Sequence, residues 1–389
     1  MRILLITEDF PNPLQPTRGT FNFEMARALA KVNDVVVVAY VSWRDEWRLK
    51  AGGRSLARMR SQDGIEIHHP RYVYPPGVLR SSYTWFLRQS VAGTVRQVLE
   101  RFAPDVVMRY WLHPDGAVAL RVAAGAGVPA VVMTGGSDLL VLTESRSRKA
   151  CIADVLKRAD AAVCVSEHLA REAARLAGPG TPVHLVRRGV DLNRFRPGDR
   201  AEARARLGWD PRRRTLLWVG RMVPVKGLDV LIDACARLPR DLDFALYLAG
   251  DGPLRGELAS RAQQARLADR IVFAGAVPHG ELADWYRAAN VTVLPSRSEG
   301  VPNVLLESIA CGTPFVASGV GGVPEIADPL ADRLVPAEDA AALADAIADS
   351  LRQDRAGSRR FTPGSWEDSA AALEQVFRSA IAARGSEVR

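Results

Sequence analysis

Residues 295–325 read PSRSEGVPNVLLESIACGTPFVASGVGGVPE and contain two carboxylates, Glu299 and Glu307, within one short stretch. Glu299 lies in a turn-rich run, whereas Glu307 lies inside a predicted helix, because apolar residues recur after Pro302 at helical spacing. Pro302 suits the first position of that helix, where a missing N–H costs nothing, and the free amides of a helix start bind anions. The stretch therefore predicts an anion-binding helix start with both carboxylates on the same side.

This stretch resembles the Glu-x7-Glu motif of the retaining glycosyltransferases of family 4, also called glycosyl transferases group 1. The flanking runs CGTPFVAS and GGVPEI follow the same family pattern. The resemblance implies that Glu299 contacts hydroxyls of the donor sugar and that Glu307 contacts the ribose of the nucleotide. It assigns donor contacts to the backbone of four consecutive residues: Gly300, Val301, Pro302 and Asn303. Two spaced glutamates without the flanking pattern would be explained equally well by a solvated helix start.

A chain of 389 residues is too long for one hydrophobic core, so we expect two domains. Apolar strands such as RILLIT and VVVVAY alternate with amphipathic helices, which indicates parallel α/β sheets covered on both faces. Residues 187–199 are rich in Gly, Asp, Asn and Pro and predict an interdomain linker. We predict an N-terminal domain over residues 1–190, a C-terminal domain over 191–365 and a final amphipathic helix in 366–389.

In the resembled family the two domains are Rossmann-like and face a central cleft, an arrangement called the GT-B fold. The resemblance implies that the first domain binds the acceptor and that the second binds the nucleotide sugar. It also implies that the final helix packs back on the first domain. In open α/β sheets ligands bind beyond the carboxyl ends of the strands, so the loops that follow the strands are expected to form the site.

The loop GRMVPVKGLD follows the first strand of the second domain and presents Arg221 and Lys226 between two glycines. A guanidinium and an ammonium suit a nucleotide diphosphate, because they neutralise its charge as it departs without needing a metal ion. The loop is similar to the GR-x4-KG phosphate-binding loop of family 4. Alone, two bases in a strand-to-helix turn would be explained as solvated surface residues, but the Glu299 stretch in the same domain favours the phosphate site.

In the first domain the loop PNPLQPTRGTFN contains Gly19 just before a predicted helix, and the resemblance implies that this loop contacts the donor phosphates or the acceptor, with Gly19 assigned to the donor. A tight turn explains Gly19 equally well. Many relatives carry a His immediately before a Gly-Ser/Thr-Asp run, but TGGSD places Gly135 at that position here. The acceptor-binding candidates are His113 and Asp138, although His113 could be a packed histidine and Asp138 a helix N-cap.

A net charge of +8 is compatible with nucleic acid, an acidic membrane surface or a polyphosphate substrate as partner. The Arg residues are spread over both halves and no common nucleic-acid motif is present, so we expect no nucleic-acid partner. Residues 71–101 mix Tyr and Trp with Arg, which fits either peripheral membrane contact or a core helix with a solvated face. Because the chain lacks an apolar run of about 18 residues and a signal-like start, the sequence predicts a cytoplasmic protein.

These features predict a retaining glycosyltransferase that moves a hexose-type sugar from a UDP- or GDP-sugar to a saccharide or lipid-linked acceptor. The expected pathway is synthesis of cell-surface polysaccharide or glycoconjugate. We assign catalysis to Glu299, Arg221 and Lys226, and we expect neither a metal nor a cofactor, because no carboxylate pair is placed to bridge a metal to the phosphates. Two alternatives stay open, namely a nucleotide-sugar epimerase or hydrolase of the same fold and a non-catalytic saccharide-binding relative.

Overall fold

The computed structural model describes residues 1–51, 53, 55–75, 83–114, 116–353 and 361–387. The chain divides into two compact units, the first formed by Met1–Arg187 with Trp366–Arg389 and the second by Arg188–Ser365. Residues 76–82 of the predicted membrane-contact range 71–101 and the last two residues of the predicted range 366–389 lie outside the described residues.

The first unit is a mostly parallel sheet covered by helices. Its strands are β1 (Arg2–Thr7), β2 (Asp34–Ala39), β3 (Val41–Ser42), β4 (Met59–Gln62), β5 (Ile65–His68), β6 (Arg71–Tyr72), β7 (Val106–Tyr110), β8 (Ala130–Thr134), β9 (Ala161–Cys164) and β10 (Val183–Leu185). The helices along the same part of the chain are α1 (Thr20–Leu29), α2 (Trp43–Ala51), α3 (Tyr83–Phe102), α4 (Gly116–Ala126), α5 (Ser137–Leu140), α6 (Arg146–Arg158) and α7 (Glu167–Ala177). Within the described residues the main sheet has the order β10-β9-β8-β7-β1-β2-β5-β4.

The centre of this sheet is buried on both faces. Strands β1 and β2 bury every residue after the first, which explains why their sequences are continuous apolar runs and do not alternate. The pairings of β1 with β2 and with β7 are parallel, whereas β4 pairs with β5 in the antiparallel sense. Strands β3 and β6 form a separate two-stranded parallel sheet.

The second unit repeats this architecture. Its strands are β11 (Arg214–Val219), β12 (Phe244–Ala249), β13 (Ile271–Gly275), β14 (Val291–Leu294), β15 (Phe315–Ser318) and β16 (Arg333–Val335). Its helices are α8 (Arg200–Leu207), α9 (Leu228–Arg237), α10 (Arg255–Gln264), α11 (Leu282–Ala288), α12 (Asn303–Ala310) and α13 (Ala340–Arg352). The sheet order within the described residues is β13-β12-β11-β14-β15-β16, and its pairings are parallel. The predicted α/β class with two Rossmann-like domains is confirmed.

The final helix, α14 (Trp366–Glu387), belongs to the first unit and packs on α1. Its apolar face buries Leu373 and Phe377 completely. Near its other end, the guanidinium of Arg384 donates to both carboxylate oxygens of Asp160 at 3.0 Å. Among the described residues, no helix combines the length and the hydropathy needed to cross a bilayer.

Several elements were missed from the sequence because their polar residues hide the pattern. Helices α2, α6 and α8 have short apolar faces, and only Ile152, Val155 and Leu156 of α6 are buried. Strand β16 has only three residues, too few for a clear period. Short or weakly amphipathic elements are placed mainly by tertiary packing, so local propensity gives little signal.

His69 is a fully buried histidine that follows β5 in the first unit. The guanidinium of Arg60 donates from Nε to ring atom Nε2 at 3.1 Å, so Nε2 accepts and Nδ1 carries the proton that it donates to the Ala39 carbonyl at 2.9 Å. Burial, aided by the charge of Arg60, lowers the pKa of His69 to about 4. The fold therefore holds this ring in its neutral form.

This arrangement predicts an acid-sensitive contribution to stability. As pH falls from about 6.5 to about 4, the unfolded chain binds a proton at His69 that the folded chain excludes, so the free energy of unfolding decreases. Each pKa unit corresponds to roughly 1.4 kcal/mol, which gives a loss of about 3 kcal/mol from this residue. Chemical unfolding of the wild-type protein and of His69→Gln at several pH values isolates the contribution of His69 to the free energy of unfolding. Parallel pH profiles for the two proteins would contradict it.

Candidate functional site

Three loops meet at the carboxyl edge of the second sheet. They follow the neighbouring parallel strands β11, β14 and β15, whose carboxyl ends lie side by side. The amide of Arg297 donates to the carbonyl of Val225 at 2.8 Å, which joins the first two loops. The amide of Gly322 donates to the carbonyl of Gly300 at 2.7 Å, which joins the third loop to the second. The residues between β14 and α12 are therefore held from both sides.

Two glycines permit this close packing. Gly321 has φ +57°, and a β-carbon added there would lie 1.7 Å from the carbonyl oxygen of Glu299. Gly227 has φ +64°, and a β-carbon there would lie 2.0 Å from the carbonyl oxygen of Pro295. Any other L-residue at either position would combine an unfavourable backbone conformation with a backbone clash. Close packing against the loop between β14 and α12 therefore explains Gly321 in the GGVPEI run and Gly227 in the GRMVPVKGLD run.

Glu299 and Lys226 form an ion pair in the middle of these loops. The ammonium Nζ of Lys226 lies 2.6 Å from Oε1 of Glu299, and the two side chains are 24% and 10% exposed. Arg221 is exposed, and its guanidinium makes no hydrogen bond or ion pair with the residues that the structure describes. The sequence assigned these three residues to one site, and the structure joins two of them directly.

Arg297 is a residue of this site that the sequence analysis missed. Its guanidinium pairs with the carboxylate of Asp229 at 2.7 Å and with that of Glu338 at 3.0 Å. A further hydrogen bond reaches the carbonyl of Pro224 in the loop of Lys226. The side chain therefore clamps the loop after β11 to the loop after β14.

Glu307 lies on α12, 7% exposed, with both carboxylate oxygens hydrogen-bonded. Oε1 lies 2.8 Å from Nε2 of His279, and Oε2 accepts a hydrogen bond from the Tyr286 hydroxyl at 2.9 Å. The helix begins one residue later than predicted, because Pro302 is extended at φ −76° and ψ 120° and caps the helix that starts at Asn303. The predicted helical position of Pro302 is therefore wrong, whereas the free amides of the first turn follow it as expected.

The predicted linker over residues 187–199 is largely a packed part of the second unit. Arg188 donates to the carbonyl of Val301 at 3.2 Å and to the side-chain oxygen of Asn303 at 3.1 Å. Arg194 lies 3.1 Å from Nδ1 of His279, and the fully buried ring of Phe195 contacts the same histidine. The boundary between the two units falls at the start of the predicted linker, and the rest of the segment packs on the second unit, where its arginines reach the residues around α12.

In the first unit, Gly19 caps the start of α1 with φ +62°. A β-carbon there would lie 2.2 Å from the carbonyl oxygen of Asp9, so a close backbone approach requires glycine. His113 follows β7 and is half-buried, and burial together with the charge of Arg148 lowers the pKa of its ring. Both residues lie at the carboxyl edge of the first sheet, where ligands bind in this class of fold.

Asp138 has no exposed surface, so the prediction that it binds an acceptor is corrected. Its carboxylate accepts hydrogen bonds from the Thr134 hydroxyl at 2.6 Å and from the amides of Leu112 and Gly136 at 3.2 Å. Burial raises the pKa of its carboxyl, although these donors favour the charged form. Asp138 therefore fixes the loops after β7 and β8 to each other.

Glu8 and Asp9 provide further carboxylates at the end of β1, which the sequence analysis did not single out. Arg18 bridges them, with its guanidinium 3.0 Å from Glu8 and 2.9 Å from Asp9. The hydroxyl of Tyr72 donates to Glu8 at 3.0 Å and itself accepts from the Tyr83 hydroxyl at 2.8 Å. Among the described residues, no group of three or more His, Cys, Asp or Glu side chains is placed to hold a metal ion.

Comparison with known proteins agrees with this architecture. The profile of the family Glycosyltransferase Family 4 matches residues 19–194, and that of Glycosyl transferases group 1 matches residues 213–353. A D-inositol 3-phosphate glycosyltransferase of Catenulispora acidiphila is 37% identical over 350 residues, which cover 82% of this chain and 82% of the relative. A Bacillus subtilis protein named for teichuronic acid biosynthesis is 29% identical over 89% of this chain and 88% of its own length.

Solved structures show the same fold at low sequence identity. The sucrose-phosphate synthase of Thermosynechococcus elongatus superposes with a TM-score of 0.78 at 22% identity, over 98% of this chain and 100% of that chain. HepE of Anabaena, solved in complex with UDP, superposes with a TM-score of 0.68 at 19% identity, over 100% and 98% of the two chains. These likenesses concern the fold.

Proposed function

The chain belongs to the glycosyltransferases of family 4, and from this membership we propose that it is a retaining enzyme using a nucleotide-diphosphate sugar. The donor is a UDP- or GDP-hexose, and the acceptor is a saccharide or lipid-linked saccharide in cell-surface polysaccharide or glycoconjugate synthesis. The observation that carries this proposal is the Lys226–Glu299 ion pair at the carboxyl edge of the second sheet. Support for the pathway comes from the relative named for teichuronic acid biosynthesis.

In this proposal Lys226 connects the diphosphate to the sugar-binding carboxylate. An ammonium has three donors, so Lys226 can hold Glu299 and still bind a phosphate oxygen. Glu299 would then lie beside the bond that joins the sugar to the phosphate, in reach of the sugar hydroxyls. Arg221, which is exposed, supplies a second cation for the same diphosphate.

We assign the nucleotide ribose to Glu307, and the sugar and phosphates to the backbone of Gly300 to Asn303. The first amides of α12 lack partners within the helix, which suits them to an anion. A donor contact at Gly19 and an acceptor contact at His113 stay predictions. Glu8, which faces a chain of tyrosine hydroxyls, is an additional candidate for an acceptor hydroxyl.

The reaction we propose is a substitution on one face of the sugar. The bond between the anomeric carbon and the diphosphate oxygen breaks, and the acceptor oxygen forms its bond on the same face. The acceptor proton passes to the departing phosphate, so no side chain at the position of Gly135 is needed as a base. Arg221 and Lys226 stabilise the charge on the diphosphate, and neither a metal ion nor a cofactor takes part in this scheme.

We also propose peripheral contact with a membrane through the first unit. Trp47 on α2 and Trp85 on α3 are 67% and 55% exposed, and both helices carry arginines. Exposed indoles next to basic side chains favour the interface of an anionic bilayer. This contact would suit a lipid-linked acceptor.

For the membrane contact, Trp85→Ser is expected to weaken binding to anionic vesicles made of phosphatidylglycerol and phosphatidylcholine. Neutral vesicles are expected to bind the wild-type protein and its variants poorly. Sedimentation with vesicles measures the bound fraction. Leu330→Ser, at a residue 61% exposed in the second unit, is the matched control. Equal sedimentation with neutral and anionic vesicles, or no loss in the Trp85 variant, would exclude this surface.

The proposed reaction is tested by nucleotide release from a panel of UDP- and GDP-hexoses in the presence of a chelator. We expect release that depends on a saccharide acceptor and that persists in the chelator, because Arg221 and Lys226 replace a metal. Release without acceptor would indicate a hydrolase, and saccharide binding without release would indicate a non-catalytic protein. Loss of activity in chelator that magnesium or manganese restores would contradict the metal-free scheme.

Glu299→Gln keeps the shape of the side chain and removes its charge, so it tests the sugar-binding role. If the carboxylate contacts strengthen as positive charge develops at the anomeric carbon, kcat falls by roughly a hundredfold or more while nucleotide affinity changes little. Steady-state kinetics and calorimetric titration with free nucleotide measure the two quantities. The control is Glu257→Gln, an exposed glutamate on α10. Near wild-type kcat, or loss of nucleotide binding, would remove Glu299 from this role.

A further inference from the structure

The carboxylate of Glu307 is held by two side chains that lie outside the motif. Tyr286 is completely buried, and burial together with the adjacent Glu307 raises the pKa of its hydroxyl well above the usual value. Tyr286 therefore keeps its proton and donates it to Oε2 at 2.9 Å. His279 lies on the other side, 2.8 Å from Oε1.

The tautomer of His279 follows from its second contact. Arg194 lies with Nη1 at 3.1 Å from ring atom Nδ1, and a guanidinium can only donate. Nδ1 must therefore accept, which places the ring proton on Nε2, directed at Glu307. Arg194 is oriented in turn by the carboxylate of Asp191 at 3.6 Å and by Arg287, which donates to the Arg194 carbonyl at 2.9 Å.

These contacts leave part of Glu307 available for a ligand. A carboxylate has about four lone-pair sites, and His279 and Tyr286 use one on each oxygen. With the rotation of the carboxylate fixed by two donors, the remaining sites of Oε1 and Oε2 have fixed directions. Two adjacent acceptor oxygens at fixed positions suit a ligand with two neighbouring hydroxyls better than a ligand with a single hydroxyl.

We propose that His279 and Tyr286 are positioning residues. They orient the carboxylate of Glu307 so that it binds both neighbouring hydroxyls of the nucleotide ribose. Arg194 acts indirectly, because its hydrogen bond to Nδ1 of His279 leaves the ring proton on Nε2. The inference rests on the proposed function, because it assumes that Glu307 faces the ribose. It adds the basis on which a ribonucleotide is preferred to a 2′-deoxynucleotide, and it assigns that preference to residues outside the Glu-x7-Glu motif.

The test compares the affinities of UDP and 2′-deoxy-UDP, and of GDP and 2′-deoxy-GDP, by calorimetry on the full chain. For whichever base binds, the wild-type protein is expected to prefer the ribonucleotide by roughly tenfold or more, since a hydrogen bond to a charged group is lost in the deoxy form. His279→Phe keeps an aromatic ring that packs on Phe195 but removes both polar atoms. It should lower the ratio of ribonucleotide affinity to deoxynucleotide affinity to about threefold or less. Tyr286→Phe should lower the ratio in the same way.

Two further variants separate positioning from general damage. His279→Gln can donate to Glu307 through its amide nitrogen and accept from Arg194 through its oxygen, so it should retain most of the wild-type ratio. Lys226→Met should weaken both nucleotides of a pair equally and leave the ratio unchanged, because it removes a phosphate contact. Should His279→Phe fail to fold, Tyr286→Phe and His279→Gln still decide the matter.

The outcomes distinguish this inference from the proposed function. Loss of the ratio in Glu307→Gln together with a wild-type ratio in His279→Phe and Tyr286→Phe would overturn the inference and leave the ribose assignment standing. A wild-type protein that binds ribo- and deoxynucleotides equally would overturn the ribose assignment and the inference with it. A ratio that collapses in both phenylalanine variants and survives in His279→Gln supports the inference.

Discussion

The contact between Glu299 and Lys226 is the interaction on which the candidate site depends. Removing two charges from water is unfavourable, and an ion pair with 24% and 10% exposed side chains persists only where its surroundings hold it in place. Here those surroundings are backbone hydrogen bonds among three loops and two glycines that allow them to touch. The pair is therefore better understood as a feature that the loops impose than as a source of stability.

Arginine has a larger structural role in this chain than its basic composition suggests. Arg204 is buried and donates to the carbonyls of Ala288 and Pro211 and to the side chain of Asn290, which joins α8 to the second sheet. Arg297 clamps two loops of the candidate site to each other. Because a planar guanidinium offers five donors, one such residue can satisfy several carbonyls at once. The net charge of +8 is consequently a weak guide to the partners of this protein.

The motif residues of the candidate donor site depend on supporting residues from other parts of the second unit. The motif residues Glu299 and Glu307 are each held by one or more side chains from outside the motif, and one of these, His279, is contacted by the segment that follows the first unit. Arg188 reaches the start of α12, and Arg194 reaches Glu307 through His279. The nucleotide-sugar donor that we propose is flexible and charged, and fixed supporting residues lower the cost of holding it in one geometry during substitution.

The sequence by itself determined the α/β class, the two Rossmann-like domains and the membership of Glu299, Glu307, Arg221 and Lys226 in one domain. Those features are encoded locally, in apolar runs, helical periods and glycine spacing. Only the tertiary structure decided that Lys226 pairs with Glu299, that Asp138 is buried, and that His279, Tyr286 and Arg194 support Glu307. These contacts join residues distant in the chain, and nothing in a local pattern of amino acids specifies which buried donor will reach a given carboxylate.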